Sequence, residues 1–199
     1  QRQMCIRDSG RGLCCVTSFW YTQNKIMHAV LSQLTKEPIG IAHLRRSCPA
    51  WVRVIEYDGL PKNGSIQQVF SSKYKAVIVL YEMHDSKHRQ QDGMGHYACL
   101  VKLRKGVEYF SSYGGTPASE IAETHSDPKR LQRLLGRDYI VNRANFQAKY
   151  HTATCGRWAF ARAFLADLPL KSFQGFFNKK VHLANPDQVV ALATIFAIR

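Results

Sequence analysis

The sequence predicts an α+β fold, a mixed central β-sheet of about five strands flanked by helices. Residues 75–81 form a short apolar run rich in β-branched side chains, which is typical of a buried central strand. Residues 96–103 and 106–110 are typical of a β-hairpin that turns at residues 104–106. Helix signals occur on both sides of these strands, and no repeat, low-complexity tract or linker interrupts the chain. We therefore expect one domain.

The remaining elements are predicted from apolar periodicity and from residues that start helices. Ile26, Val30 and Leu34 recur at steps of four, which is typical of an amphipathic helix. Thr154 is a predicted N-cap, and Asn185, which precedes a proline, is typical of a helix start. The predicted helices cover residues 24–36, 128–136, 154–168 and 188–198, and the further strands cover residues 51–57 and 138–142.

The first nine residues are set apart from this fold. Residues 4–9 read MCIRDS, which is similar to a translated reading frame of a sequencing-library adapter. We expect residues 1–9 to be an artefact fused to the chain. We expect residues 10–199 to be the single domain, truncated at its N-terminus.

The chain carries a large positive charge, with a formal net charge of +14. Such an excess favours binding to a polyanion, because each phosphate that is neutralised releases counterions. No run of basic residues is long enough to indicate a sequence-specific DNA reader, so we predict non-specific DNA binding. The alternative is a soluble basic enzyme with lysines scattered over its surface.

Composition does not indicate a membrane protein or a disulfide-rich secreted protein. The longest apolar runs, residues 76–81 and 191–198, are shorter than the ~18 residues that a membrane span needs. No signal-peptide segment opens the chain, and the six cysteines lack a disulfide framework. We expect an intracellular, monomeric protein with reduced thiols and no membrane contact.

Cys155 is the candidate nucleophile. It precedes an amphipathic helical segment, and the N–H groups at a helix start favour thiolate over thiol. Gly156 gives a substrate backbone room to approach the sulfur. The alternative is a small buried hydrophobic residue, which is our interpretation of the other cysteines.

His96 is the candidate base, because it opens a predicted strand beside Gly95. Gln147, eight residues before Cys155, is placed to donate a side-chain amide to an oxyanion. A third group is expected to fix the imidazole tautomer through Nδ1–H. The candidates after the hairpin are Glu108, Ser111 and Ser112.

A zinc site is the competing interpretation, because His84 and His88 have ligand-like spacing, as do His96 and Cys99. Residues three apart in a strand point to opposite faces, so His96 and Cys99 are not expected to bind one ion. The other two histidines lie in a predicted loop, residues 82–95. We therefore predict no metal and no cofactor.

Four segments together resemble the adenain-like, or adenovirus-type, cysteine proteases of DNA viruses and virophages. They are GHYACLV at 95–101, YFSSYGG at 109–115, FQAKYHTATCGRW at 146–158 and PDQVVALAT at 186–194. The resemblance covers most of residues 39–194. This family is in the same superfamily as the SUMO-deconjugating proteases. The resemblance implies a mixed sheet flanked by helices, with a papain-type site in circularly rearranged order.

The resemblance also implies roles for individual residues. Cys155 is then the nucleophile, His96 the general base and Gln147 the oxyanion donor. Ser111 stands where the family usually has an acidic residue, so it can accept the imidazole N–H but brings no charge. The implied function is a viral cysteine endopeptidase that processes capsid and core precursor proteins during virion maturation, in the virion and the infected host cell. DNA or an activating peptide is the implied stimulator.

Two alternatives stay open at this stage. The same fold can serve a deconjugase that acts on a ubiquitin-like protein. The serine at position 111 and the basic charge are also compatible with a catalytically decayed homologue that binds nucleic acid or capsid.

Overall fold

A mixed sheet of five strands, in the order β1-β2-β3-β4-β5, lies at the centre of the part of the chain that the structure describes. The structure is a computed structural model that describes residues 27, 29–82, 95–121, 127, 129–148, 152–177 and 185–198. The strands are β1 Val52–Glu56, β2 Ala76–Glu82, β3 Gly95–Lys102, β4 Val107–Ser111 and β5 Tyr139–Val141. Strands β1 and β2 are parallel, as are β4 and β5, whereas β3 is antiparallel to both its neighbours.

The predicted strands are confirmed to within one residue at each end. The continuous apolar run becomes β2, whose core positions are buried on both faces of the sheet. The predicted hairpin becomes β3 and β4, which pair from Ala98 with Ser111 to Lys102 with Val107. The α+β class with a mixed sheet is therefore confirmed.

The described helices differ more from prediction. They are α1 over residues 29–36, α2 Ile41–Ser47, α3 Ile66–Phe70, α4 Pro117–Ile121, α5 Arg130–Leu135, α6 Cys155–Phe164, α7 Leu170–Phe176 and α8 Pro186–Thr194. Helices α1, α5, α6 and α8 are predicted, although α6 and α8 end earlier than expected. Helices α2, α3, α4 and α7 are missed, because five to seven residues are too few to establish a helical period.

The sheet separates two apolar layers. Helix α6 packs on the face that carries Tyr97 and Cys99, with Trp158 completely buried against them. The opposite face carries Ala98 and Leu100 and is covered by α3 and α5. Alternation along β3 therefore assigns neighbouring residues to opposite layers.

A buried ion pair fixes α6 against the sheet. The Arg162 guanidinium donates to both carboxylate oxygens of Glu108 on β4, at 2.6 and 2.8 Å, and both side chains are almost fully buried. Arg162 also donates to the carbonyl oxygens of Leu165 and Leu168 beyond the helix. A bidentate pair in the core has a fixed geometry, so it orients the helix that begins at Cys155.

Some predictions concern residues outside the described part of the chain. They are the adapter-like residues 1–9, the part of the predicted loop from 83 to 94 with His84 and His88, and the helix start at Pro128.

Candidate active site

Cys155 is the first residue of α6 and is half-buried. Its thiol donates a weak hydrogen bond to the carbonyl oxygen of Gly95, with an Sγ–O distance of 3.9 Å. Gly156 lets α6 approach β3, because a Cβ atom at this glycine would lie 3.3 Å from the Tyr97 ring. The sulfur therefore lies against the first residues of β3, which include His96.

The pKa of the Cys155 thiol is raised, because burial disfavours the thiolate. The backbone N–H groups of Tyr97, Gly156 and Cys155 act in the opposite direction without overcoming burial. The negative charge of Glu120 raises the pKa further. The helix start therefore favours the thiolate as expected, but desolvation has the larger effect on the thiol pKa.

His96 is nine-tenths buried at the start of β3, on the opposite face from Cys99. Its Nε2 atom lies 3.1 Å from Ser111 Oγ and 3.3 Å from Glu120 Oε2. The Tyr113 ring stacks on the imidazole with a centroid distance of 4.7 Å. The nitrogen that meets the third group is thus Nε2, and the expectation that Nδ1 would do so is wrong.

Ser111 connects the imidazole to a carboxylate. Its hydroxyl donates to Glu120 Oε1 at 2.6 Å, and Oγ accepts the backbone N–H of Tyr113 at 3.2 Å. A serine hydroxyl has one proton to donate and two lone pairs. Because the proton goes to Glu120, Ser111 can only accept from His96. The neutral imidazole is therefore protonated on Nε2, and its basic lone pair is on Nδ1.

Glu120 is a candidate site residue that the sequence did not reveal. It is buried in α4, nine residues after Ser111, and supplies the charge that the serine lacks. Its position depends on Gly115, since a Cβ atom there would lie 2.4 Å from Glu120 Oε1. Gly114, with φ of 71°, makes the bend that returns the chain to the sheet. Thr116, followed by a proline, is a helix-start signal that could have revealed α4.

The other candidates for the third group have different partners. Glu108 pairs with Arg162 in the core. Ser112 donates to the side-chain oxygen of Gln147 at 2.7 Å. Ser111 and Ser112 therefore serve His96 and Gln147 respectively, although they are adjacent in the sequence.

Gln147 is buried, and both its backbone and its side chain are hydrogen-bonded. Its backbone N–H donates to the carbonyl oxygen of Ser112 at 3.1 Å, and its side-chain amide donates to the carbonyl oxygen of Thr152 at 2.9 Å. Thr152 is three residues before Cys155, so the amide contacts the segment that leads to the candidate nucleophile. A primary amide has two N–H groups, so it can also donate to an oxyanion.

The four residues predicted for the site therefore occupy one end of the sheet. His96 contacts Ser111 directly, Gln147 contacts the segment before Cys155, and the Cys155 sulfur contacts the backbone beside His96. Side chains of Cys155 and His96 approach β3 from different faces. The site is thus built around the first residues of one strand.

Neither the protein-family models nor the curated protein sequences contain a match to this chain. The described residues contain no group of three or more histidine, cysteine, aspartate or glutamate side chains that could hold a metal ion. His96 and Cys99 point to opposite faces, as predicted. No helix in the described ranges has the length and apolar character needed to cross a membrane.

Proposed function

We propose that the protein is a cysteine endopeptidase with Cys155 as nucleophile and His96 as general base. The observation that carries the proposal is the buried connection from His96 through Ser111 to Glu120. The sulfur of Cys155, at a helix start, contacts the backbone of Gly95 next to His96. A buried carboxylate next to an imidazole stabilises the imidazolium form. An imidazole that takes a proton from a thiol needs this stabilisation, whereas a histidine that only fills space does not.

The tautomer sets the direction of proton transfer. The two side chains approach β3 from different faces, so the proposed transfer requires them to meet beyond the start of the strand. There the Nδ1 atom of His96 takes the Cys155 proton as the sulfur attacks the scissile carbonyl carbon. The imidazolium then keeps its Nε2 proton between Ser111 and Glu120. A raised pKa of Cys155 agrees with this sequence of events, because a thiol that is not ionised at rest needs a base during the attack.

The attack forms the sulfur–carbon bond and moves the carbonyl π electrons onto oxygen. The backbone N–H of Cys155 and the side-chain amide of Gln147 donate to this oxyanion. Collapse expels the amine, which takes the proton from His96 Nδ1 and leaves a thioester. Water then gives a proton to His96 and attacks the thioester, and the returned proton restores the Cys155 thiol.

The biological setting that we propose follows the resemblance to adenain-like proteases. The order His96, acidic group, Gln147, Cys155 along the chain and the mixed sheet support it. The substrates would be viral capsid and core precursors, cleaved during maturation in the virion and infected cell. Glu120 argues against a decayed homologue, because the site keeps a charged partner for the imidazole.

Non-specific DNA binding is a second property that we propose, and the net charge of +14 supports it. Electrostatic binding to phosphates weakens as salt rises. The measurement is affinity for duplexes of unrelated sequence across a salt series. Equal affinity for different sequences with a steep salt dependence is expected, and an affinity independent of salt would contradict it.

The test of the enzyme is cleavage of precursor peptides that contain a Gly-Gly motif, because the adenain-like proteases that this chain resembles often cleave after such small-residue motifs. The wild type is expected to cleave, and Cys155→Ala and His96→Ala are expected to lose the activity. Cys99→Ala is the control, because that thiol is fully buried in the core under α6, on the opposite face of β3 from His96. Cleavage by Cys155→Ala at the wild-type rate would refute the assignment. Labelling by a ubiquitin-like vinyl-sulfone probe without peptide cleavage would favour the deconjugase.

A further inference from the structure

A second buried carboxylate, Asp187, lies beside the nucleophile. It is in the first turn of α8, and its side chain is completely buried. One carboxylate oxygen, Oδ1, accepts hydrogen bonds from the Thr154 hydroxyl and from Trp158 Nε1, the latter at 2.9 Å. The other oxygen, Oδ2, accepts from the backbone N–H of Ala148 and from the Thr152 hydroxyl, each at 3.1 Å.

These donors lie on both sides of Cys155 in the sequence. Ala148 directly follows Gln147, Thr154 directly precedes Cys155, and Trp158 lies one turn into α6. The Thr154 hydroxyl is directed to Asp187 and makes no capping bond to α6, so the predicted N-cap bond is absent. One side chain therefore joins both ends of the segment between the oxyanion amide and the sulfur.

We propose that Asp187 is a positioning residue that clamps this segment and so holds the oxyanion donor and the nucleophile in register. The proposal rests on the proposed function, because register matters only if an oxyanion forms between the two. A small displacement of groups that act together in a transition state costs much of the rate, about a hundredfold for 1 Å. Binding of the substrate's remote residues depends less on this register.

The two N–H donors, one on each carboxylate oxygen, require a carboxylate. All four partners present hydrogens, and two carboxylate oxygens can accept all of them. An asparagine has the same shape but turns an NH₂ group towards one N–H donor and one hydroxyl. The hydroxyl can reverse and accept, but the N–H group loses its acceptor. Asp187→Asn therefore removes one N–H bond of the clamp without creating a cavity.

The experiment compares Asp187→Asn with Asn185→Ala. Asn185 caps α8 by accepting the Asp187 backbone N–H at 2.9 Å, so its loss weakens the same helix without removing any of the four hydrogen bonds to the Asp187 carboxylate. Hydrogen exchange is measured at the amides of Ala148 and residues 152–156, and kcat and KM are measured on the Gly-Gly peptide. Thr154→Val, which removes one donor and keeps the carboxylate, replaces Asp187→Asn if that variant does not fold.

We expect those amides in Asp187→Asn to exchange about tenfold faster or more, while the amides of β2 and β3 keep their rates. We expect kcat to fall by about 10- to 100-fold with KM changed less than about threefold. Asn185→Ala should lower Tm while retaining wild-type local exchange and kcat. Thr154→Val should give smaller changes in the same directions.

Unchanged exchange in the clamped segment would overturn the proposal, and so would faster exchange with wild-type kcat. Equal losses of kcat in Asp187→Asn and Asn185→Ala would also overturn it, because the effect would then be that of a weakened helix. If the wild type cleaves no peptide, the proposed function fails. The clamp is then judged by exchange alone, and slow exchange that depends on Asp187 supports it.

Discussion

Two buried carboxylates serve the two halves of the candidate site, and their partners differ in kind. Glu120 contacts a hydroxyl and an imidazole, and the imidazole gains a charge during the proposed reaction. Asp187 contacts four donors that stay neutral throughout. Glu120 should therefore act on the charge of the transition state, whereas Asp187 should act on geometry. Neither carboxylate lies in β3, the strand that carries His96.

The largest effect is expected from Glu120→Gln. This change keeps the shape but removes the charge that stabilises the His96 imidazolium, so kcat should fall by about 10²- to 10³-fold. The rate of amide exchange at Ala148 and residues 152–156 should stay at the wild-type value, which separates the variant from Asp187→Asn. Steady-state kinetics and exchange on the same preparations make the comparison. If Glu120→Gln lowered kcat and also accelerated amide exchange in this segment, Glu120 and Asp187 would not have different roles.

A smaller effect is expected from Gly115→Ala. The added methyl group would meet Glu120 Oε1 at 2.4 Å, so the carboxylate must move away from Ser111. We expect kcat to fall by about tenfold, less than for loss of the charge, because the displaced carboxylate still lies near the imidazole. Gly175→Ala on α7 is the matched control, since its methyl group would meet nothing within 4 Å. Equal activity of both variants would show that the position of Glu120 does not matter.

The smallest effect is expected on the titration of Cys155. Burial raises the pKa of its thiol, so alkylation by iodoacetamide should still be accelerating at a pH where free cysteine has reached its plateau. Because Glu120 also raises this pKa, Glu120→Gln should move the alkylation curve to lower pH while abolishing most turnover. The measurement is the alkylation rate against pH for both proteins. A curve that moves to higher pH would mean that Glu120 acts on the thiol through another group.

The sequence predicts the sheet well, because strand alternation and the hairpin are local patterns. The candidate residues Cys155, His96 and Gln147 could also be picked out from the sequence, since each lies at or near the start or the end of a predicted element. Glu120 is not, because α4 has five residues and its contact with Ser111 exists only after two glycines fold the chain back. Thr116 and Pro117 were the available signal.

The contacts of Asp187 could not be predicted from the sequence for a different reason. Asn185, Pro186 and Asp187 form a complete helix-start signal, so a local explanation already accounted for the aspartate. Its contacts with Thr154 and Trp158 span about thirty residues and arise only from packing of α8 on α6. Such long-range polar contacts produce no periodic pattern in a single sequence.

The most direct test of the central claim moves the negative charge from position 120 on α4 to position 111 on β4. In the Glu120→Gln background, Ser111→Asp places a carboxylate next to His96 Nε2 from position 111. If the imidazole needs a charged partner and Ser111 with Glu120 provides it, the double variant should recover most of the kcat that Glu120→Gln loses. Ser111→Asp alone, which puts two carboxylates together, serves as the comparison. A double variant no more active than Glu120→Gln would contradict the account.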